Sequence, residues 1–160
     1  MPLSPRQIDQ AQQDIDRLAD PTSPRYGRLL QWKNLPNPVW HYGIGLSDSH
    51  IFDTGGILQP FEKHDAKPVV KIDSIAFTPD QTIQRLKDAL HVFADWQYNV
   101  LGWNCEHLSR LIATDQPRCY QSRPLWWLCN MTPEGDHKTA RQLFQNYLEL
   151  GTQASLQSSR

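Results

Sequence analysis

Two short segments of the sequence contain residue types that together can carry out acyl-transfer chemistry. The first runs from His41 to Asp53, and the second comprises residues 104–107, which read Asn-Cys-Glu-His. A thiol, an imidazole and a carboxylate are the three parts of a cysteine nucleophile system, in which the imidazole takes the thiol proton and the carboxylate orients the imidazole. The sequence therefore predicts a thiol enzyme with Cys105 as the nucleophile, His41 as the base and Asp53 as the orienting group.

The position of Cys105 in the chain favours an activated thiol. Asn104 is a strong N-cap residue, which predicts Cys105 at the first position of a helix. The helix dipole and the N–H groups at that end favour a negative charge, so they lower the pKa of the thiol, and they are also suited to bind an oxyanion. The alternative is that Cys105 is a small buried hydrophobic residue, as most free cysteines are.

His41 lies in a strand-like run over residues 40–46. As the base for Cys105 it needs one ring nitrogen facing the sulfur and the other held by an acceptor. His50 and Asp53 compete for that second position, and because they are three residues apart they point to opposite faces of a regular strand. An aspartate is the better partner because it adds charge. The alternative for His41 is an ordinary core histidine. The alternative for Asp53 is a turn residue before the glycines at 55 and 56.

The residues beside the predicted nucleophile and base are the candidates for binding substrate. These are Trp40 and Tyr42 next to the histidine, and Asn104 and His107 next to the cysteine, with His107 expected at the rim of a pocket. Glu106 is interpreted as a charge that complements the helix dipole. No metal site or cofactor is predicted, because the spacing of the cysteines and histidines matches no common zinc pattern.

Length and composition limit the class of protein. A chain of 160 residues suits one domain with its own core, and a net charge of −1 gives no indication of a nucleic-acid groove. The mean hydropathy is −0.61, and the apolar run at 125–128 is too short to span a bilayer. Three cysteines and an N-terminus without a secretory pattern predict reduced thiols in a cytoplasmic protein. For Trp126 and Trp127 the sequence allows a position in the core, in a protein interface or at a membrane surface.

Hydrophobic periodicity predicts an α+β architecture. Proline-containing capping boxes at Ser4 and Thr78 and the cap at Asn104 begin three helices. A final helix is expected to stop at Gly151, before a polar, disordered tail. The predicted helices cover 5–19, 81–96, 105–113 and 136–150, and the predicted strands, which form an antiparallel meander, cover 29–32, 40–46, 50–52 and 68–72.

Residues 104–107 resemble the Asn-Cys-Glu-His signature of the lecithin:retinol acyltransferase-like proteins, also called the NC domain. The run that starts at His41, His-Tyr-Gly-Ile, is similar to the upstream histidine motif of that family, and the flanking stretches 98–101 and 118–121 also resemble its pattern. The resemblance covers about 28–123, which is three fifths of the chain.

This resemblance implies a circularly permuted papain-like fold of the NlpC type, in which a short antiparallel sheet packs against the cysteine-bearing helix. It implies a catalytic domain over 28–123, flanked by helical extensions at 1–27 and 124–150 and by the tail at 151–160. Cys105 matches the nucleophile of the family and His41 matches the base. Asp53 stands where eukaryotic members commonly have a second histidine, and Leu108 stands where the signature usually continues with phenylalanine. No hydrophobic anchor follows, so thiol acyl chemistry is a stronger inference than a phospholipid donor.

The sequence thus predicts a cysteine-dependent acyltransferase or hydrolase that acts on an ester or amide through a thioester. The acyl donor is a small molecule or a lipid, and the acceptor is undefined. One rival is an amidase or peptidase of the same fold, which needs an open polar groove rather than a long apolar channel. The other is a non-catalytic binding module, which predicts a buried, unreactive Cys105 or a His41 side chain turned away from it.

Overall fold

The protein was analysed as a computed structural model that describes residues 3–33, 40–55, 58–69, 77–96, 103–119 and 137–158. Within these ranges the chain is α+β, with four helices and one small antiparallel sheet of five strands. The predicted fold class is therefore confirmed at this level. Trp126, Trp127 and Cys129 lie outside the described residues, as does all of the segment 124–136 that precedes the last helix.

The elements follow one another in the order α1, five strands, then three helices. None of the helices in the described ranges combines the length and the apolar character that are needed to cross a bilayer. The bounds are α1 (Pro5–Leu18), β1 (Leu29–Lys33), β2 (Trp40–Gly45), β3 (His50–Asp53), β4 (Pro60–Glu62), β5 (Lys67–Pro68), α2 (Pro79–Val92), α3 (Cys105–Thr114) and α4 (His137–Ser158).

The strands lie in the order β4-β3-β2-β1-β5, and all neighbouring pairs are antiparallel. Strands β1, β2 and β3 form an antiparallel meander as predicted, and β4 extends it. The predicted fourth strand is observed as β5, which pairs with β1 at the opposite edge of the sheet. Strand β4 was not predicted, because three residues that begin with a proline carry no alternating pattern. The predicted strand over 68–72 is observed only as Lys67–Pro68, and residues 70–72 lie outside the described residues.

Local capping explains where three of the helices begin. Ser4, Thr78 and Asn104 each accept a hydrogen bond from the third helical residue, whose side chain reaches back to the backbone of the cap. All three predicted starts are confirmed. The last helix differs from the prediction, because α4 continues through Gly151 to Ser158. A single glycine costs a helix only about 1 kcal/mol, and no proline follows it to force a stop.

The main core lies between the helices and one face of the sheet. Tyr42, Ile44 and Phe52 contribute from the sheet, and α3 packs against this face with all ten of its residues buried. Helix α2 packs on α3, and α4 packs on α2. On the other face of the sheet a smaller apolar cluster contains Leu30, Trp32, Ile51 and Ala66, with Phe61 packed against it.

Arg85 of α2 joins three helices at the C-terminal end of α3. It donates to the carbonyl oxygens of Leu111 and Ile112 at 2.8 Å and pairs with Asp115 at 3.0 Å. Arg141 and Gln145 of α4 donate to the second oxygen of Asp115. The last carbonyls of a buried helix are thus satisfied by a side chain, and the same ion pair anchors α4.

We expect Phe144→Ala to destabilise the protein by about 3–5 kcal/mol, because truncating a buried aromatic side chain leaves a cavity. Phe144 is fully buried, with its ring 5.8 Å from that of Phe93 and below the guanidinium of Arg85. The neighbouring Leu143 is 43% exposed, so Leu143→Ala is the matched control and should change the free energy of unfolding by less than about 0.5 kcal/mol. Urea denaturation measures both, and equal losses would contradict the packing of α4 described here.

Candidate functional site

A buried threonine holds the start of α3 against the sheet. The Thr54 hydroxyl lies 3.0 Å from the carbonyl oxygen of Tyr42 and 3.0 Å from that of Cys105, with the Ser109 hydroxyl 2.5 Å away. Because a hydroxyl has one proton, Thr54 donates to one carbonyl at a time and can accept from Ser109. Tyr42 follows His41 in sequence and Thr54 follows Asp53, so the backbones of the three predicted catalytic residues converge here.

Cys105 occupies the first helical position, as predicted. The Asn104 side-chain oxygen accepts from the backbone N–H of Glu106 at 3.0 Å and of His107 at 3.3 Å. Cys105 is 4% exposed and lies in the same apolar cluster as Tyr42. The position at the positive end of the helix suits a thiolate, whereas the burial suits the alternative of a small core residue.

His107 is part of the helix cap. Its side chain is fully buried, its Nδ1 lies 3.1 Å from the Asn104 side-chain oxygen, and its ring stacks on that of Trp103. The ring therefore lies inside the protein and not at the rim of a pocket where it was expected. Both predicted substrate-binding residues on this helix, Asn104 and His107, serve to close the first turn of α3.

Glu106 forms a buried ion pair and does more than complement the helix dipole. It is fully buried, and Arg110 donates to its Oε1 at 2.9 Å. The thiol of Cys119 donates to its Oε2 at 3.2 Å. The spacing of four residues between Glu106 and Arg110 is a sequence signal for such a pair. The stretch 118–121 that contains Cys119 resembles the family pattern, but no spacing in the sequence indicated its contact with Glu106, which exists only through the tertiary fold.

Tyr42 faces α3 from the sheet. The guanidinium of Arg110 lies 5.7 Å from the centre of its ring. Burial raises the pKa of the Tyr42 phenol far above its usual value, and the Glu106 carboxylate acts in the same direction. Its hydroxyl therefore stays protonated over the physiological range. Trp40, the other predicted substrate-binding residue on this strand, is half-buried, packs against the main core and has the ammonium of Lys33 4.7 Å from its ring centre.

His41 faces the other side of the sheet. Side chains alternate along a strand, so His41 points away from the face that carries Tyr42. Its ring stacks on Trp32, its partner in β1, with 5.8 Å between ring centres. Among the residues that the structure describes, His41 makes no hydrogen bond with Cys105. The His41 ring thus contacts Trp32, and not the Cys105 sulfur as the sequence predicted.

Asp53 shares the face of the sheet with His41. The sequence predicted only that Asp53 and His50 point to opposite faces, and the pairing of β3 with β2 decides which of them lies beside His41. The partner of Asp53 in β2 is Gly43, two residues after His41, where a Cβ atom would lie 2.4 Å from the Phe52 carbonyl oxygen. Burial raises the pKa of Asp53, which the Gly55 N–H at 2.7 Å and the charge of His41 oppose. Asp53 is thus both a neighbour of the imidazole and a turn residue. His50 lies on the α3 side, where its Nδ1 is 2.9 Å from the Ser49 hydroxyl.

Two further features of the described residues concern the binding of ligands. No group of three or more histidine, cysteine, aspartate or glutamate side chains could hold a metal ion among them. A cavity of about 540 Å³ lies between α2 and α4, with Phe77, Arg85, Asp88 and Tyr147 among its lining residues. Since Arg85 binds the C-terminal end of α3, this cavity is at the opposite end of that helix from Cys105.

We expect Thr54→Val to lower the free energy of unfolding by about 1–3 kcal/mol, because it removes the hydroxyl that bonds the buried carbonyl groups of Tyr42 and Cys105. This contact between the sheet and the start of α3 is called the Thr54 junction. The control is Thr82→Val, the same chemical change at another buried threonine. The Thr82 hydroxyl bonds the carbonyl of Thr78, which the Thr82 backbone N–H also serves, so the loss there should be smaller. Urea denaturation compares the two, and a larger loss in Thr82→Val would contradict the importance of the junction.

We expect Asp53→Asn to stabilise the protein at pH 7 relative to wild type. A carboxyl whose pKa is raised in the folded protein favours folding below its unfolded pKa of about 3.9, and this contribution is lost as the pH rises through the folded pKa. Asparagine keeps an acceptor for Gly55 without the charge. The advantage of the variant should therefore shrink between pH 7 and pH 3.5 in thermal denaturation.

The control for this pH dependence is Asp65→Asn. A hydrogen bond from Lys63 lowers the pKa of Asp65, so the effect of its removal on stability at pH 7 should have the opposite sign. If Asp53→Asn is the less stable protein at pH 7, the burial described for this carboxyl is contradicted.

The candidate site is thus a buried helix start with a thiol, joined through Thr54 to a strand pair that carries an imidazole and a carboxylate on its other face. It has the residue types of a thiol enzyme and the helix position that such a nucleophile needs. Comparisons with protein-family models, with curated proteins and with solved structures return no match to this chain.

Proposed function

We propose that this protein is a cysteine-dependent acyltransferase or hydrolase that acts on an ester or amide, built on a circularly permuted papain-like fold. Cys105 is the nucleophile, His41 is the base and Asp53 orients the imidazole. The acyl donor is a small molecule or a lipid. A thiol nucleophile needs a reduced cysteine, so the compartment of the protein is a reducing one such as the cytoplasm.

The Thr54 junction is the observation that carries this proposal. Its hydroxyl is within 3.0 Å of the carbonyl oxygens of Tyr42 and Cys105, so the first turn of α3 docks beside the strand residues next to His41 and Asp53. Residues at three distant points of the sequence are thereby brought to one place. Convergence of a helix-start thiol with a histidine–aspartate pair supports a nucleophile system more strongly than any of the three residues does alone.

The chemistry follows from these groups. His41 takes the thiol proton while the Cys105 sulfur attacks the carbonyl carbon, forming a C–S bond and an oxyanion near the N–H groups at the start of α3. Collapse of the oxyanion breaks the bond to the leaving alcohol or amine, which takes the proton from His41. The same imidazole then removes a proton from water, an alcohol or an amine, which attacks the thioester and returns the cysteine thiol.

The orientation of His41 favours a second candidate, a non-catalytic binding module of the same architecture. Its ring stacks on Trp32, on the face of the sheet opposite Tyr42, and Cys105 is 4% exposed. For catalysis the imidazole must leave this stack and reach the sulfur on the other face of the sheet. In a binding module the stack is permanent and the thiol stays inert.

Thiol reactivity separates the two candidates without a known substrate. The rate of Cys105 alkylation by iodoacetamide is measured against pH by peptide mass spectrometry, with Cys119 and Cys129 as internal references. In the enzyme, Cys105 reacts fast well below the ordinary thiol pKa of about 8.5, and His41→Ala lowers its rate at pH 6 by at least about tenfold, the effect of one pKa unit. The control is His50→Ala, which changes a histidine of the same sheet and should leave the rate intact.

Acyl transfer itself is tested with a 4-nitrophenyl acyl ester as the donor. We expect intact-mass spectrometry to detect a transient acyl adduct on Cys105 that is absent from Cys105→Ala. A Cys105 thiol that reacts no faster than the two reference cysteines, and that ignores His41→Ala, would overturn the enzyme proposal in favour of the binding module.

A further inference from the structure

We propose that Cys119 is a positioning residue for the Cys105 nucleophile, because its thiol bonds the side chains of both residues that flank Cys105. This inference rests on the thiol chemistry proposed above. Cys119 itself does not touch substrate, and it acts through Asn104 and Glu106. The chain leaves α3 at Thr114, and the segment after it brings the Cys119 sulfur back to the start of the same helix.

The two contacts of the Cys119 sulfur have fixed directions. The Glu106 carboxylate is an acceptor only, so the S–H group donates to its Oε2 at 3.2 Å. The sulfur lone pair is left to accept from the Asn104 side-chain NH₂ at 3.5 Å. A thiol has one proton, so this pattern leaves no choice of donor. It requires that the amide nitrogen of Asn104 faces the sulfur.

The orientation of Asn104 decides whether α3 is capped. With its NH₂ group towards Cys119, its oxygen points at the backbone N–H groups of Glu106 and His107. A rotated amide would present N–H to N–H and lose both bonds. Asn104 is itself buried, and the Cys119 sulfur is an acceptor for its amide NH₂ group on the side away from the helix.

The contact with Glu106 acts on the nucleophile in the same direction. A carboxylate next to Cys105 would disfavour a thiolate there, because like charges repel. Arg110 donates a hydrogen bond to one oxygen of Glu106 and the Cys119 thiol donates to the other. Both bonds partly compensate the negative charge of this carboxylate at the start of the helix. Cys119 thus keeps the cap in place and helps to compensate the nearest negative charge.

The test replaces the thiol with apolar and polar side chains. Cys119→Ala and Cys119→Val remove both hydrogen bonds, the first with a smaller and the second with a larger side chain, whereas Cys119→Ser keeps a donor and an acceptor. We expect the midpoint of the Cys105 alkylation profile to rise by about half a pH unit in the alanine and valine variants, a typical effect at a helix terminus. Serine should restore it to the wild-type value.

A second measurement follows the cap directly. Hydrogen exchange of the Glu106 and His107 amides, by nuclear magnetic resonance on the full chain, should be accelerated at least about threefold in the alanine and valine variants and not in serine. The control is the Gln81 amide, which donates to the Thr78 hydroxyl at the start of α2 and should exchange equally in all variants.

Each outcome supports or overturns the proposal. Coincident alkylation profiles in all variants overturn it, as does a shift in Cys119→Ser as large as that in Cys119→Val, because filling of space and not hydrogen bonding would then matter. Failure of both apolar variants to fold, with a folded serine variant, also overturns it in favour of a purely structural role. An ordinary wild-type Cys105 profile contradicts the enzyme proposal instead, and the exchange data, which need no reactive thiol, separate that failure from this one.

Discussion

The burial of α3 along its whole length is the constraint on which the rest of the structure depends. A helix leaves four N–H groups and four carbonyl groups unpaired at its ends, and in a buried helix water cannot serve them. The protein supplies partners from its own side chains. Asn104 accepts from two N–H groups at one end, and Arg85 donates to the carbonyls of Leu111 and Ile112 at the other. Polar groups accordingly lie within the core at both ends of α3.

This constraint gives the Asn-Cys-Glu-His run a structural role at three of its four positions. Asn104 and His107 form the two halves of a capping box, and Glu106 pairs with Arg110 one turn later. Cys105 is the position of the four whose side chain takes part neither in the capping box nor in the ion pair of Glu106 with Arg110. The same arrangement that closes the helix also places the thiol at its positive end, so structural and chemical interpretations of the motif are compatible.

The sheet separates the two halves of the candidate site. Side chains alternate along β2, so Tyr42 points towards α3 and His41 points towards Trp32. Asp53 lies on the same face of the sheet as His41, because its partner in β2, Gly43, lies on that face. Thr54 connects the two sides, since it directly follows β3 and its hydroxyl reaches across to the carbonyl of Cys105. Cys105 and His41 are therefore neighbours through the backbone, with their side chains on different sides of one strand.

The sequence by itself determined the features that depend on residues within about four positions of one another. These include the three capped helix starts, the alternation that sends His50 and Asp53 to opposite faces of the sheet, and the ion-pair spacing of Glu106 and Arg110. Such features need only local hydrogen bonds and the geometry of one element.

Only the tertiary structure decided which face of the sheet α3 covers, that β4 forms beside β3, and that Cys119 returns to Glu106. Each of these joins residues from different elements, and none is encoded in a spacing that can be read along the chain. The choice of face depends on which surface buries more apolar area against α3, and that sum is defined only once all the elements are assembled. For this reason the sequence identified Cys105, His41 and Asp53 as candidates, while the direction of the His41 ring emerged from the packing of Trp32.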